Sequence, residues 1–296
     1  MTAERALLER LVDDAGLFPP TQLTMAAALA RHRADQAESS GMLTHRFLCP
    51  ASRIAELREL LQAGDRIRVG LIADTGAAGL APAVAAVAAD PRLALSVLEF
   101  PLAKAAGRAE PAGALDAVLD TDLDTVLDVI AAQVDADVSV FVEPSRLADA
   151  VSLAAAMAAH DEGTRLGMKL RCGGVRADLF PQPDDLAAAL VVAASDHVTV
   201  KATAGLHHAV RHTDPRTGFT HHGFLNLLLA TADAVAGAGV DQVAATLRVT
   251  DPAALVKRAA GLDPAAVAAT RRGFAAYGSC STSTPLQEAR DLGLWA

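Results

Sequence analysis

Several things are scarce in this 296-residue chain. Aromatic residues make up 3%, with one Trp (Trp295) and one Tyr (Tyr277). The core must therefore be built from Ala, Val and Leu, and a stacking platform for single-stranded nucleic acid is not expected. Cysteines number three (Cys49, Cys172, Cys280), widely spaced and without a CxxC pair. That argues against a disulfide framework and against a structural zinc site built on thiolates. Basic charge is in deficit: 26 Lys and Arg face 35 Asp and Glu, for a net charge of −9. A binder of nucleic-acid backbone is not expected from that balance. Uncharged apolar stretches of roughly 18 residues, the length of a membrane span, are missing. The Ala-rich runs at 82–89 and 153–159 are broken by charge, Pro or His. The first residues, MTAERALLERLVDD, lack the apolar segment of a signal peptide. The expected setting is the cytoplasm, without membrane or nucleic-acid partners.

What is present is an even apolar content of 52% with 21% charged residues, too apolar for a disordered chain. No linker or composition break appears, which favours a single domain over 1–296. A unit recurs: a short apolar run, a polar or Gly/Pro exit, then a helix-like segment. The runs are RFLCP (46–50), RVGLIAD (68–74), LALSVLEFP (93–101), DVSVFVEP (137–144), LGMKLRCGG (166–174) and HVTVKATAG (197–205). FLNLLLAT (224–231) and FAAYGSCS (274–281) are weaker strand candidates. Helical patterns lie between them at 52–62, 117–133, 145–160 and 184–194. Such alternation predicts βαβ units and a parallel sheet. Eight units fit a (β/α)8 TIM-type barrel, which needs roughly 250 residues, with residues 1–40 as an N-terminal helical extension. The alternative is an open doubly wound sheet. That fold predicts a Gly-rich phosphate loop after the first strand, where this chain has CPASRIAEL instead.

Barrel enzymes draw their catalytic residues from the C-terminal ends of strands. Charges fall there in this chain: Asp74, Glu99, Glu143, Lys169 with Arg171, and Lys201. A buried strand charge is costly unless paired, so a shared pocket of acids and bases is expected. Asp74, followed by Thr-Gly, also suits a plain turn. In KLRCGGVR (169–176), Lys169 and Arg171 share a strand face, and Gly173 and Gly174 allow a tight turn with amides near a ligand. That combination suits a small anionic metabolite. In KATAGLHH (201–208), Lys201 and Thr203 share a face, followed by His207 and His208.

VTVKATAG resembles the Schiff-base strand of class I aldolases of the deoxyribose-phosphate aldolase type. GMKLRCGGVR resembles a neighbouring strand of that family, in which a second Lys precedes a Gly-Gly turn. The resemblance implies a barrel lyase with Lys201 as the imine-forming amine and Lys169 as the lysine that lowers its pKa. The two strands occur in the opposite order in that family, and Arg171-Cys172 is inserted before the glycines here. The chain as a whole (AGLFPP, KLRCGG, KATAGLHH, YGSCS) is similar to an uncharacterised bacterial family, which implies no activity.

Independently of the resemblance, a neutral lysine is a competent nucleophile when a neighbouring cation and an apolar floor lower its pKa. Glu143 or Asp74 then moves protons. Five histidines lie between 207 and 222. They raise an alternative: a divalent metal held by His207, His208 and His222, serving a metal-dependent lyase, isomerase or hydrolase. In the tail YGSCSTSTP (277–285), Ser279 and Ser281 suit either a phosphate site or a cap, with Ser283 or Thr284 capping and Pro285 at the first helical position. Cys280 has no His partner in any local motif. The favoured expectation is an aldolase-like enzyme with catalytic Lys201, Lys169, Glu143 and Asp74. Substrate would be held by Arg171, Gly173, Gly174, Thr203, His207, His208, Glu99, Ser279 and Ser281, without a cofactor. A non-catalytic metabolite-binding barrel is the third reading, and homo-oligomerisation is left open.

Overall fold

The structure, a computed structural model, describes residues 2–104, 127–130, 132–160 and 165–295. Strands β1 (Val12–Asp14), β2 (Leu43–Pro50), β3 (Ile67–Ile72), β4 (Leu93–Pro101), β5 (Ser139–Glu143), β6 (Leu166–Arg171), β7 (Thr199–Thr203) and β10 (Phe274–Ser279) close into a barrel in that order. Every neighbouring pair is parallel. A two-stranded antiparallel hairpin, β8 (His212–Thr213) and β9 (Thr220–His221), lies between β7 and β10 in the chain. The fold is therefore the expected (β/α)8 barrel, and the closed ring overturns the open-sheet alternative.

The helices follow the strands as βα units require. They are α1 (Ala3–Leu8), α2 (Met25–Glu38), α3 (Ile54–Glu59), α4 (Gly76–Ala88), α5 (Ala150–Ala159) and α6 (Pro183–Ser195). A run of four more comes before β10: α7 (Phe224–Val235), α8 (Val240–Arg248), α9 (Pro252–Ala260) and α10 (Pro264–Gly273). The last is α11 (Ser283–Asp291). Among the described residues no helix is long and apolar enough to cross a membrane. Apart from a helical turn at 127–130, the helix expected over 117–133 is either turn or outside the described residues.

Period-2 alternation sorts the strand residues. Val69, Leu71, Leu98, Phe100, Val140, Val142, Met168, Leu170 and Val200 join Leu80, Val87, Leu153, Leu186 and Leu190 of the helices in one core. That core lies between barrel and helices. The complementary strand positions point into the barrel, and many of them are charged. Glycine makes room for the long side chains there. A Cβ at Gly70 would come within 2.4 Å of Leu48 Cδ2 and 3.1 Å of Arg46 Cδ. A small apolar group, Ala15, Leu48 and Ile72 with Phe18 against it, forms a separate cluster.

Two sequence expectations need correction. FLNLLLAT is helix α7, because every residue from Phe224 to Ala232 is buried and a helix buried all round has the uniform apolarity of a core strand. The eighth strand is instead VDD, inside the segment expected to be a helical extension. Residues 274–279 are a barrel strand as expected.

Candidate active site

β1 contributes the side chain that completes the interior. Asp13 is fully buried and accepts from the Thr44 hydroxyl. Arg46 on β2 donates to both of its oxygens, at 3.0 and 3.1 Å. On the other side Asp13 pairs with Lys201 of β7. Lys201 Nζ also lies 3.0 Å from Glu99 Oε1 of β4. The second Glu99 oxygen lies 2.7 Å from Lys169 Nζ of β6. Lys169 reaches Glu143 Oε2 of β5 at 2.9 Å, and Arg171 reaches Glu143 Oε1 at 2.8 Å. The result is a single alternating stack: Arg46, Asp13, Lys201, Glu99, Lys169, Glu143, Arg171. It begins and ends with a cation. Each carboxylate sits between two cations, so four positive side chains face three negative ones.

Charge of this kind inside a barrel survives only when paired. Burial alone would raise the Glu99 carboxyl, but the Lys169 and Lys201 ammoniums outweigh it and hold it at about 2. Glu143 is likewise lowered: burial opposes, and Lys169 and Arg171 prevail. Burial works against a charged Lys169, yet Glu143 and Glu99 raise its pKa above the usual lysine value. This corrects one expectation. Lys169 was to act on its neighbour as a bare cation. Instead Glu99 stands between the two lysines and ion-pairs with both.

The stack also has a direction. Lys169 and Lys201 are register partners, but strand stagger in a barrel sets them at different depths. Lys201 is 0% exposed, and Lys169 is 4% exposed. Lys169 alone of the two touches Glu143, whose partner Arg171 has a 46% exposed side chain at the mouth. Of the chain's four lysines, Lys104, Lys169, Lys201 and Lys257, two are therefore committed to the barrel interior.

The remaining expected residues divide. Thr203 closes β7 on the same face as Lys201. Asp74 is not brought to the lysines: it accepts from the Ser52 backbone N–H at 3.0 Å and from the Ser52 hydroxyl, tying the β2 exit to β3. Gly173 and Gly174 both lie at close approaches. A Cβ on Gly173 would meet Gly205 Cα and a Phe180 ring carbon, each at 2.9 Å, and one on Gly174 would meet Leu179 Cδ1 at 2.4 Å. Just past β7, Ala204 and Gly205 both have left-handed backbones, with φ of 60° and 72°. The Ser281 hydroxyl accepts from the Thr284 N–H at 3.2 Å, one residue ahead of the N-cap position, Thr282. The helix begins at Ser283, two residues before the expected Pro285.

His207, His208 and His222, the expected metal ligands, take different partners. His208 pairs with Glu288 of α11. His222 lies between the Pro181 carbonyl, 2.9 Å from Nε2, and Arg211, and burial pushes it down to about 4. His212 stacks on His221 with centroids 5.1 Å apart. Among the described residues no group of three His, Cys, Asp or Glu is arranged to hold a metal. His207 turns elsewhere, toward Ser279 at 3.1 Å and the Cys280 sulfur at 3.6 Å. The sequence reading missed Asp13 and Arg46, and it missed the His207–Cys280 contact, whose members lie 73 residues apart.

A cavity of about 440 Å³ opens at the other end of the barrel, lined by Ser139, Arg165, Thr199 and the ends of α5 and α6. The charged stack contributes nothing to its lining. The charged stack lies toward the C-terminal end of the barrel, where barrel loops build sites. Comparison with known proteins adds no relative: no family model matches the chain, nor does any curated protein or solved structure.

Proposed function

We propose that the chain is a lyase of aldolase-like mechanism, acting on a small anionic carbonyl or sugar-type compound through an imine on a barrel lysine. The observation that supports this reading is the buried stack itself: two lysines separated by a carboxylate, opening on Arg171 at the mouth. A structural ion pair needs one cation and one anion. Four cations against three anions leave a positive surplus for an anionic ligand.

The sequence reading made Lys201 the amine. Depth and partners favour Lys169 instead, the lysine a ligand reaches first. In the resting site Lys169 is an ammonium. Binding of the substrate anion draws Arg171 away from Glu143 and so removes one of the two cations that hold this carboxyl low; the Lys169 proton then passes to Glu143, 2.9 Å away, and the freed lone pair attacks the carbonyl carbon. The carbonyl π pair moves to oxygen, which takes the proton that the attacking nitrogen loses, giving a carbinolamine. Glu143 returns its proton as that oxygen leaves as water, and the resulting iminium draws in the electrons of the bond between the α and β carbons while the β-hydroxyl gives its proton to Glu143. Arg171 anchors the substrate anion, bidentate if it is a carboxylate or phosphate. Glu99 stays ionised beside the iminium and offsets its charge. Lys201, with Asp13 and Arg46 beneath it, holds Glu99 in place.

Borohydride reduction in the presence of glycolaldehyde or pyruvate tests this reading. A reduced adduct should appear by mass spectrometry on the Lys169 peptide and vanish in Lys169→Met. With only four lysines, the assignment is unambiguous. Adduct on Lys201 would return that residue to the role of amine. No adduct on either interior lysine would sink the imine mechanism.

A further inference from the structure

The N-terminal floor of the barrel carries positive charge that the ion-pair stack leaves over. Arg46 of β2 and Arg68 of β3 are register partners. Alternation turns Arg68 inward, since Val69 and Leu71 belong to the core outside the barrel. Arg46 directs Nη1 to Asp13, while its Nε donates to the Ser96 hydroxyl of β4 at 3.2 Å. Arg68 Nη2 donates to the same Ser96 oxygen at 3.1 Å, and its Nη1 to the Thr44 carbonyl at 3.0 Å. Two guanidinium N–H groups thus occupy both lone pairs of one hydroxyl. The Ser96 proton is left to donate, and among the described residues no acceptor takes it. Arg10, exposed just ahead of β1, is the third cation. Burial lowers the Arg68 pKa, Arg10 and Arg46 lower it further, and Asp13 does not restore it. Among the described residues Asp13 is the one carboxylate ion-paired to any of the three arginines, through Arg46. The chain's net charge is −9, so this gathering of cations is no by-product of a basic composition. Like charges held side by side raise the energy of the fold until an anion joins them.

We propose that Arg10, Arg46, Arg68 and Ser96 form a phosphate-binding site on the N-terminal floor of the barrel, at the end opposite Arg171. Three guanidiniums and a hydroxyl offer more donors than the two oxygens of a carboxylate accept, and a phosphate matches them better. Free phosphate and the phosphate group of a small metabolite share this chemistry. Arg10 is exposed and Arg68 partly so, which leaves the site open to solvent. The site does not depend on the imine reading of the lysines.

The test is the melting temperature of the full-length protein titrated with inorganic phosphate, potassium chloride holding the ionic strength constant. Phosphate should raise the melting temperature in a saturable way, unlike a salt that acts by exclusion from the surface. Arg68→Met should raise the half-saturating concentration at least about tenfold, the scale of one lost charge-assisted hydrogen bond. Arg10→Gln, at an exposed position where the fold has little at stake, should weaken the response in the same direction. Arg171→Met, at the mouth, should leave the curve as in wild type, which separates the floor from the substrate site. If glycerol 1-phosphate reproduces the shift, the site accepts a phosphorylated metabolite; if inorganic phosphate alone does so, the free ion is the ligand. Absence of a saturable phosphate response in wild type would overturn the proposal. So would a wild-type curve in Arg68→Met or in Arg10→Gln, or loss of the response in Arg171→Met.

Discussion

Glu99 has no solvent contact and lies between two ammonium groups. Replacing it by Gln leaves both amines buried without their shared counter-charge, whereas an exposed ion pair would be nearly free to lose. Glu99→Gln should cost about 3–5 kcal/mol of stability, read as a lowered urea midpoint with an unchanged slope. A loss under about 1 kcal/mol would mean that water, not Glu99, compensates the lysines. At this scale the sequence was legible where charge interrupts an apolar run: Glu99, Glu143, Lys169 and Lys201 each stand out against their neighbours. Asp13 was not, because it follows ERLV and precedes AGLFPP, where an acid reads as a helix end. The His207–Cys280 contact carries no local signal at all, since loops from two strands bring its members together.

Strands were legible by the same contrast. The six runs with β-branched cores and polar exits all became barrel strands, and their ends moved by only a few residues. β1 escaped because three residues, two of them Asp, show no alternation. α7 was misread because it is buried on every side. The close packing of the β6 and β7 exits yields a prediction at this scale. Gly173 sits against the Gly205 backbone and the Phe180 ring, and neither neighbour is the free end of a flexible side chain. Gly173→Ala should therefore destabilise by about 1–3 kcal/mol, and by splaying the two exits it should disturb Arg171 and Lys201 together. A calorimetric melting temperature equal to wild type would refute the tight approach.

Across the whole molecule the ionisable groups set a pH window. Glu99 is held at about 2 against an ordinary 4.5, and Glu143 shifts the same way. Their contribution is complete above the ordinary value and is lost as pH falls through the folded one. His222, at about 4 against 6.5, adds a loss in the same direction, because the buried neutral ring must take up a proton. Lys169 is raised above its ordinary 10.5. Its contribution is complete below that value and fades as pH climbs through the raised one. Stability should be broadly flat between pH 6.5 and 9, fall above pH 9 as the Cys49 and Cys172 thiols, which burial pushes up to about 12, resist the ionisation open to them in the unfolded chain, and fall continuously toward pH 2. Urea midpoints measured across that range check this, and a midpoint unchanged from pH 7 down to pH 3 would contradict it.

The brevity of β1 also bears on the order in which the chain can fold. Val12, Asp13 and Asp14 pair with Tyr277, Gly278 and Ser279, and Asp13 meets Lys201, 188 positions further along the chain. During synthesis the first strand emerges early and has only β2 to lean on. Its remaining neighbour emerges only after every other strand of the barrel. Contacts this distant in sequence form slowly, so the seam between β1 and β10 closes last. Until it does, a nascent chain holds Lys201 without the aspartate it needs.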